Sequence, residues 1–171
     1  MSILEKVIAA VIPSALTEGK GDALDLLKKD HEDVDALLKQ YELLATQDAD
    51  AGERRALSKQ ICGMLAVHAI IEEEIFYPAA RKADVATSLL DEAQIEHGSA
   101  KGLIAEIGEA NASEPLYDAR VKVLGEYIRH HVREEENELF PACRSSDMDL
   151  LELGERLQRR KAQLLRKLSG T

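Results

Sequence analysis

The residues best suited to chemistry are the histidines, of which the chain has only five. Four lie within stripes of apolar residues that recur every three or four positions, one in each of four long segments: His31, His68, His97 and His131. A single histidine on an apolar face is usually a hydrogen-bonded core residue. Four that face inward need a shared partner, because an unpaired buried polar group costs about 1–3 kcal/mol. The pattern therefore indicates a metal or an acid between them.

Two glutamates lie on the same faces as these histidines. Glu72 follows His68 by four residues, and Glu135 follows His131 by the same interval. Four residues make roughly one helical turn, so each pair shares a side of its helix. A buried carboxylate is costly unless it is paired or binds a metal. The sequence thus predicts a set of metal ligands, namely His31, His68, Glu72, His97, His131 and Glu135.

The two His-x-x-x-Glu motifs are copies of one another. HAIIEEEIFYP at 68–78 aligns with HVREEENELFP at 131–141, so that the His, the Glu and the Pro coincide. An acid followed by a histidine precedes each motif, as Asp30-His31 and as Glu96-His97. We interpret the chain as two helical hairpins that each contribute one His and one His-x-x-x-Glu. The alignment leaves the neighbouring His130 about 100° around the helix, at the surface or beside the ligands.

Four imidazoles and two carboxylates make a nitrogen and oxygen site without a thiolate. They are too many for one tetrahedral zinc ion and too rich in nitrogen for calcium or magnesium. Two octahedral ions bridged by carboxylates fit, and this donor set suits iron, with manganese and zinc as alternatives. We expect the two histidines of each hairpin to hold one ion, with Glu72 and Glu135 bridging both ions. Coordination positions then stay open for a small ligand.

Four long amphipathic segments position these residues, at about 22–46, 53–81, 84–110 and 113–141. Pro78 is expected to bend or end the second of them. The short connections predict an all-α fold, an antiparallel up-down four-helix bundle with extra short N-terminal and C-terminal helices. We assign residues 1–20 to an N-terminal helical extension, 21–145 to the bundle and 146–171 to the C-terminal helix.

Composition agrees with this reading and limits the partners. The chain has 171 residues, enough for one domain, and its 4% aromatic and 32% charged residues favour helices. A formal net charge of −10 argues against nucleic acid and anionic membranes as partners. Cys62 and Cys143 are expected to be buried or half-buried thiols in a reducing compartment. With no export signal recognised and no membrane span, we expect a cytoplasmic protein, a monomer or weak oligomer.

The pattern His31, His68-x-x-x-Glu72, His97, His131-x-x-x-Glu135 resembles the hemerythrin-like (HHE cation-binding) family over about residues 22–143. This resemblance implies a non-haem diiron centre, Fe2+ or Fe3+, oxo- or hydroxo-bridged, inside a four-helix bundle. It implies a small-molecule ligand, which is dioxygen, hydrogen peroxide or nitric oxide, and a role in oxygen binding or in oxidative or nitrosative stress. An enzyme of this kind would be an oxidoreductase acting on peroxide or nitric oxide. The alternative is a non-catalytic module that stores or senses iron or oxygen.

The sequence departs from the oxygen-carrying hemerythrins at the position of their fifth histidine, four residues after the third, where it has Lys101. This departure favours redox reactivity or sensing over reversible oxygen carriage. Asp35 is the best, though weak, candidate for a replacement ligand. Tyr77, five residues after Glu72, is awkwardly placed for ligation on an α-helix and is expected to be a core residue. Glutamates beside the ligands, such as Glu73, are expected to be solvated.

Overall fold

The structure, a computed structural model, describes residues 21–47 and 49–169, with side chains described through residue 167. All regular elements within these ranges are helical. In chain order they are α1 (Ala23–Thr46), α2 (Ala51–Ile71), α3 (Tyr77–Lys82), α4 (Thr87–Glu109), α5 (Tyr117–Glu134), α6 (Phe140–Arg144) and α7 (Leu150–Ser169). Two π-helical turns join neighbouring helices: π1 (Glu72–Phe76) joins α2 to α3, and π2 (Glu135–Leu139) joins α5 to α6. The N-terminal extension predicted at 1–20 lies outside the described residues.

The four long helices pack as two hairpins side by side. Helix α1 packs against α2, and α4 packs against α5. Helix α1 also contacts α5, and α2 contacts α4, so each helix has two neighbours around a common centre. The prediction of an all-α four-helix bundle is confirmed. The C-terminal helix α7, 20 residues long, lies outside the bundle against α1, α2 and π1.

The start of α1 is fixed by a capping box. The Asp22 side chain accepts hydrogen bonds from the backbone N–H groups of Leu24 and Asp25, while the Asp25 side chain accepts one from the N–H of Asp22. Such a cap contributes about 1 kcal/mol, because it satisfies helix N–H groups that have no partner within the helix. Arg144 donates to the same Asp22 carboxylate at 2.9 Å and ties the end of α6 to α1.

The apolar core is divided into two clusters by the layer of inward-facing histidines. In each helix of the bundle the histidine lies between the two clusters along the chain, as His31 lies between Leu27 and Val34. After His131 the second cluster begins at Leu139 in π2. The first cluster contains Leu38, Tyr41, Ile61, Ile104, Tyr117 and Leu124. The second contains Leu24, Leu27, Phe76, Leu90, Phe140 and Leu157. The predicted ligands therefore lie in the middle of the bundle, closed above and below by apolar side chains.

The π turns change which residues share a face with the ligands. In π1 the N–H of Tyr77 bonds to the carbonyl of Glu72, five residues back, and in π2 the N–H of Phe140 bonds to the carbonyl of Glu135. The wider turn brings the fifth residue onto the face of the first. Pro78 therefore does not end the helical path, which continues to Lys82.

Helix α7 lies close to the backbone at the start of α1 at Gly154. A Cβ atom added there would lie 2.9 Å from the backbone nitrogen of Ala23 and 3.0 Å from the carbonyl carbon of Asp22. Backbone atoms cannot swing aside, so Gly154→Ala is expected to lower the free energy of unfolding by about 1–3 kcal/mol in denaturant titrations. Gly102→Ala is the control, because nothing lies within 4 Å of its added Cβ. It should raise stability by about 0.5–1 kcal/mol through helix propensity. Equal effects of the two changes would contradict the close packing of α7.

Candidate metal centre

The structure brings the six predicted ligands together between the helices, and all six are buried. Within the described residues, their ligand atoms form two overlapping groups in which every atom lies within 4.8 Å of the others. One group contains His31, His68, Glu72 and Glu135, and the other contains Glu72, His97 and His131. Glu72 belongs to both groups. Their role as metal ligands remains a prediction, but the geometry matches two adjacent ion positions.

The imidazoles pair within each hairpin, and the carboxylates lie between the pairs. The Nε2 atoms of His31 and His68 are 3.0 Å apart, and those of His97 and His131 are 3.2 Å apart. Glu72 approaches His68 Nε2 at 3.2 Å with one oxygen and His97 Nε2 at 3.4 Å with the other.

Glu135 makes the equivalent contacts from the second hairpin. Its Oε2 atom lies 3.3 Å from His31 Nε2 and 3.5 Å from His131 Nε2. Each carboxylate therefore reaches histidines of both hairpins, which is the arrangement that bridging ligands require.

Each histidine is oriented from behind by a carboxylate on its Nδ1 atom. The pairs are His31–Glu136 at 2.9 Å, His68–Asp30 at 3.3 Å, His97–Glu73 at 2.9 Å and His131–Glu96 at 2.7 Å. A carboxylate accepts from Nδ1–H, which leaves the Nε2 lone pair directed into the centre. The four contacts obey the symmetry of the duplicated hairpins. Four converging lone pairs cannot satisfy one another, whereas a cation would satisfy them all.

Two buried oxygens provide a further test of whether the site fits metal ions. Glu72 Oε1 and Glu135 Oε2 are buried, and neither accepts a hydrogen bond. Such orphaned carboxylate oxygens are costly in a protein interior unless a cation neutralises them. They face the Nε2 atoms of His31, His68 and His131 at 3.2–3.5 Å. The donor set is therefore complementary to metal ions, and its nitrogen and oxygen chemistry fits iron.

The electrostatic potential at the centre favours positive charge. Burial lowers the pKa of His68, but Glu72 and Asp30 outweigh that effect and raise it to about 10. Burial likewise opposes protonation of His131, yet Glu135 and Glu96 raise its pKa to about 9. The pKa of Glu135 falls far below its usual range despite burial, because His131 and His31 lie beside it. The imidazoles and the carboxylates thus stabilise one another's charged forms.

Tyr77 lies inside the centre, which the sequence analysis did not predict. Its hydroxyl donates to Glu135 Oε1 at 2.8 Å and lies 3.3 Å from His97 Nε2 and 3.5 Å from His131 Nε2. The expectation that five residues of separation would turn it away was wrong, because π1 brings it onto the face of Glu72. Phe140, the equivalent residue after π2, stacks on His31 without a polar atom. The surroundings of the two histidine pairs therefore differ by one phenol.

The glutamates that follow the ligands are not merely solvated, contrary to expectation. Glu73 accepts from His97, and both of its oxygens also bind the Lys101 ammonium at 2.6 Å. These two partners lower the pKa of Glu73 to about 2, chiefly through the hydrogen bond to His97. Lys101 therefore supports a ligand from outside the centre. Asp35, the candidate replacement ligand, instead pairs with Arg129 at 2.9 Å and Lys39 at 2.7 Å.

The C-terminal helix takes part in the centre through one lysine. Lys161 of α7 forms an ion pair with Asp30 Oδ1, while Asp30 Oδ2 bonds to His68. The side chains of Lys161 and Asp30 are only 15% and 7% exposed. Burial raises the pKa of Asp30, but His68 and Lys161 bring it below its ordinary value, so the carboxylate stays charged. The predicted ligands thus all precede α7 in the chain, and α7 adds the lysine that holds the Asp30 carboxylate behind His68.

Lys161→Met is expected to weaken metal binding by about 10–100-fold, because it removes the charge that holds the Asp30 carboxylate behind His68. Methionine has a side chain of similar length without the charge. The affinity for Fe2+ is measured by competition with a chromogenic chelator. Arg159→Met is the matched control, since Arg159 pairs only with the exposed Glu155 on the same helix among the contacts described. If both variants bound Fe2+ as tightly as the unchanged protein, the contribution of α7 would be disproved.

Comparison with known proteins agrees with this geometry. The sequence-family model of the hemerythrin HHE cation binding domain matches residues 22–143. The chain belongs to the hemerythrin HHE cation-binding domain family. In this HHE domain the matched region contains the six predicted ligands and Tyr77, and it stops before α7. Family membership and the two ligand groups together support cation binding.

Two relatives illustrate the range of proteins that contain such sequences. A crystal structure of an HHE cation binding domain-containing protein from Mycobacterium kansasii superposes with a TM-score of 0.70 at 27% identity, over 86% of this chain and 89% of that one. A DNA nickase from Nostoc sp. (strain PCC 7120) is 29% identical over 142 residues, or 81% of this chain. The HHE protein described here spans only 39% of that nickase.

Two remaining expectations concern the cysteines and the membrane. Cys62 and Cys143 are both buried and form no disulfide, as the expected thiols would. Burial raises the pKa of each thiol to about 12, which makes both unreactive as nucleophiles. Within the described residues, no helix is long and apolar enough to cross a membrane.

Proposed function

We propose that this protein holds two iron ions between its hairpins and uses them to bind, or react with, a small oxidant. The observation that carries the proposal is the pair of ligand groups that share Glu72 within the bundle. His31 and His68 would hold one ion, His97 and His131 the other, and Glu72 and Glu135 would bridge them. When bound, an iron pair supplies two one-electron redox centres and coordination positions for dioxygen, hydrogen peroxide or nitric oxide.

The surroundings of the centre favour a ligand of very few atoms. Leu27, Ile71 and Phe76 lie on one side of the histidine layer, and Val34 and Leu65 lie on the other, all of them buried. Side chains packed this closely exclude bulky substrates and bulk water. Diatomic gases and peroxide are small enough to reach such a site through side-chain motion.

A proton donor, the Tyr77 hydroxyl, lies beside His97 and His131 at one end of the centre. Tyr77 donates its hydroxyl hydrogen to Glu135 and lies beside His97 and His131, so the phenol can pass a proton to a ligand that binds there. The Glu73 and Glu96 carboxylates hold the two imidazoles in orientation. At the other end Phe140 offers no proton. We therefore propose that the oxidant reacts at the end that contains Tyr77.

Metal analysis and an absorption spectrum of aerobically purified protein test the diiron proposal. We expect about two iron ions per chain and a ligand-to-metal charge-transfer band at the edge of the ultraviolet, as for two-ion carboxylate sites in helical bundles. A single zinc ion per chain, or no metal after reconstitution with Fe2+ under anaerobic conditions, would contradict it. Continued evolution of dioxygen from added peroxide would favour an enzyme. A single stoichiometric oxidation would favour the alternative, a storage or sensing module.

Nucleic acid is not part of this proposal, although one relative is a DNA nickase. The net charge of −10 repels a phosphate backbone, and the match spans a minor part of that relative. We propose instead a cytoplasmic protein with a small-molecule ligand, a monomer or weak oligomer that functions in oxidative or nitrosative stress.

A further inference from the structure

The two hairpins differ in what lies behind their equivalent histidines. On the first hairpin, Val67 precedes His68 and is 2% exposed, covered by the α7 residues Leu164 and Leu165. Lys161 of α7 closes the same surface by its ion pair with the carboxylate behind His68. Helix α7 therefore seals this side of the centre.

On the second hairpin the corresponding positions are polar and accessible. In the alignment of the two motifs, His130 stands where the first hairpin has Val67, and Glu134 stands where it has Ile71. His130 and Glu134 thus form another His-x-x-x-Glu pair, offset by one residue from His131 and Glu135. The His130 side chain is 54% exposed. The second hairpin thus differs from the first here by two residues that can bind metal.

These two residues converge with Glu96 of α4. His130 Nε2 lies 3.3 Å from Glu134 Oε1 and 3.5 Å from Glu96 Oε1, and one ligand atom from each of the three lies within 4.8 Å of the others. Metal–ligand bonds of about 2.0–2.2 Å place neighbouring donor atoms roughly 3.0–3.5 Å apart. The spacing from the imidazole to each carboxylate is therefore that of donors around one ion.

We propose that Glu96, His130 and Glu134 form an outer divalent-cation site that receives Fe2+ before it enters the buried centre. One imidazole and two carboxylates suit Fe2+, Mn2+ and Zn2+, and three protein ligands leave positions for water. The net charge of −10 raises the local concentration of such cations.

Glu96 connects the outer site to the buried centre. Its Oε1 atom faces His130, while its Oε2 atom lies 2.7 Å from Nδ1 of His131. An ion at the outer site would thus share the Glu96 carboxylate with the predicted ligand His131. Among the described residues, the corresponding surface beside His68 is covered by Lys161, Leu164 and Leu165 of α7. The role in loading rests on the proposed function, whereas the outer site itself does not.

Zinc binding to the iron-loaded protein tests the outer site. After equilibrium dialysis against Zn2+, zinc and iron are counted per chain, and we expect one zinc in addition to the iron. His130→Ala and Glu134→Gln should each weaken zinc binding by at least about tenfold, the lower end of the loss seen when support for a metal site is removed. Glu126→Gln is the matched control. Glu126 is exposed and lies in α5, two turns before Glu134, and its substitution removes one negative charge, as Glu134→Gln does. Absence of the additional zinc, or equal binding by Glu126→Gln and His130→Ala, would overturn the outer site.

Uptake of Fe2+ by the metal-free protein tests loading. With limiting Fe2+ and quenching by a chelator at successive times, His130→Ala should fill the centre several-fold more slowly than Glu126→Gln and reach the same final iron content. Equal rates would overturn the role in loading. Failure of the unchanged protein to fill its centre would contradict the proposed function instead, and the zinc measurement on His130→Ala would still decide the outer site.

Discussion

His131→Ala is expected to reduce the iron content from about two ions per chain to one or fewer, the largest effect of any single substitution considered. The change removes an imidazole whose Nε2 atom lies 3.2 Å from that of His97 and 3.5 Å from Glu135. One ion position then keeps a single histidine, and the Glu96 carboxylate loses its partner. The measurement is iron per chain by mass spectrometry after reconstitution, with circular dichroism to verify that the helices form.

The adjacent residue provides the comparison. His130→Ala removes the same side chain one position away, where it is exposed and faces Glu96 and Glu134. It should alter the rate of filling and the binding of an additional zinc, while the iron content at saturation stays near two ions per chain. Equal loss of iron from both variants would show that the register of α5 in the centre is wrong. The pair separates the buried ligand from its neighbour on one helix.

Tyr77→Phe is expected to slow the reaction of the iron-loaded protein with hydrogen peroxide by roughly 10²-fold, the lower range for a lost proton donor. The phenol hydroxyl is the donor to Glu135 at 2.8 Å, and it lies 3.3 Å from His97 Nε2. Phenylalanine keeps the packing between Phe76 and His97 but has no hydroxyl. The measurement is the rate of change of the charge-transfer absorption after peroxide is mixed with the protein.

Tyr41→Phe controls for the loss of a buried hydroxyl. Tyr41 is 2% exposed and donates to Asp118 at 2.6 Å in the other core cluster, away from the centre. This variant should lose stability, by about 1 kcal/mol for a lost hydrogen bond, and react with peroxide at the rate of the unchanged protein. A Tyr77→Phe variant with full iron and an unchanged rate would rule out the phenol as a proton donor.

The duplicated hairpins explain why the centre is nearly symmetric and where it is not. Each ligand of the first hairpin has its counterpart in the second, and so does each carboxylate behind a histidine. Symmetry ends at Tyr77 opposite Phe140, and at Val67 opposite His130. The first difference gives one histidine pair a neighbouring phenol. The second leaves the His130 side of the centre exposed, while α7 covers the Val67 side. Such differences let two similar positions take different roles.

The sequence alone determined the fold class and indicated six residues that the structure brings together in the bundle, whose role as metal ligands remains a prediction. Apolar periodicity reveals which face of each helix is buried. Four histidines and two glutamates on those faces indicate a bound cation, because buried polar and charged groups are costly without partners. The duplication fixed the register and distinguished His131 from His130. These inferences succeeded because they depend on the geometry of one helix at a time.

Only the tertiary structure decided what surrounds that centre. Tyr77 entered it because π1 adds a residue to one turn, which an assumption of regular α-helix cannot anticipate. Glu73 and Glu96 bind histidines of other helices, and Lys161 arrives from α7, far along the chain. Contacts of this kind depend on how the helices are rotated and spaced against one another, whereas periodicity reports each helix only relative to its own axis.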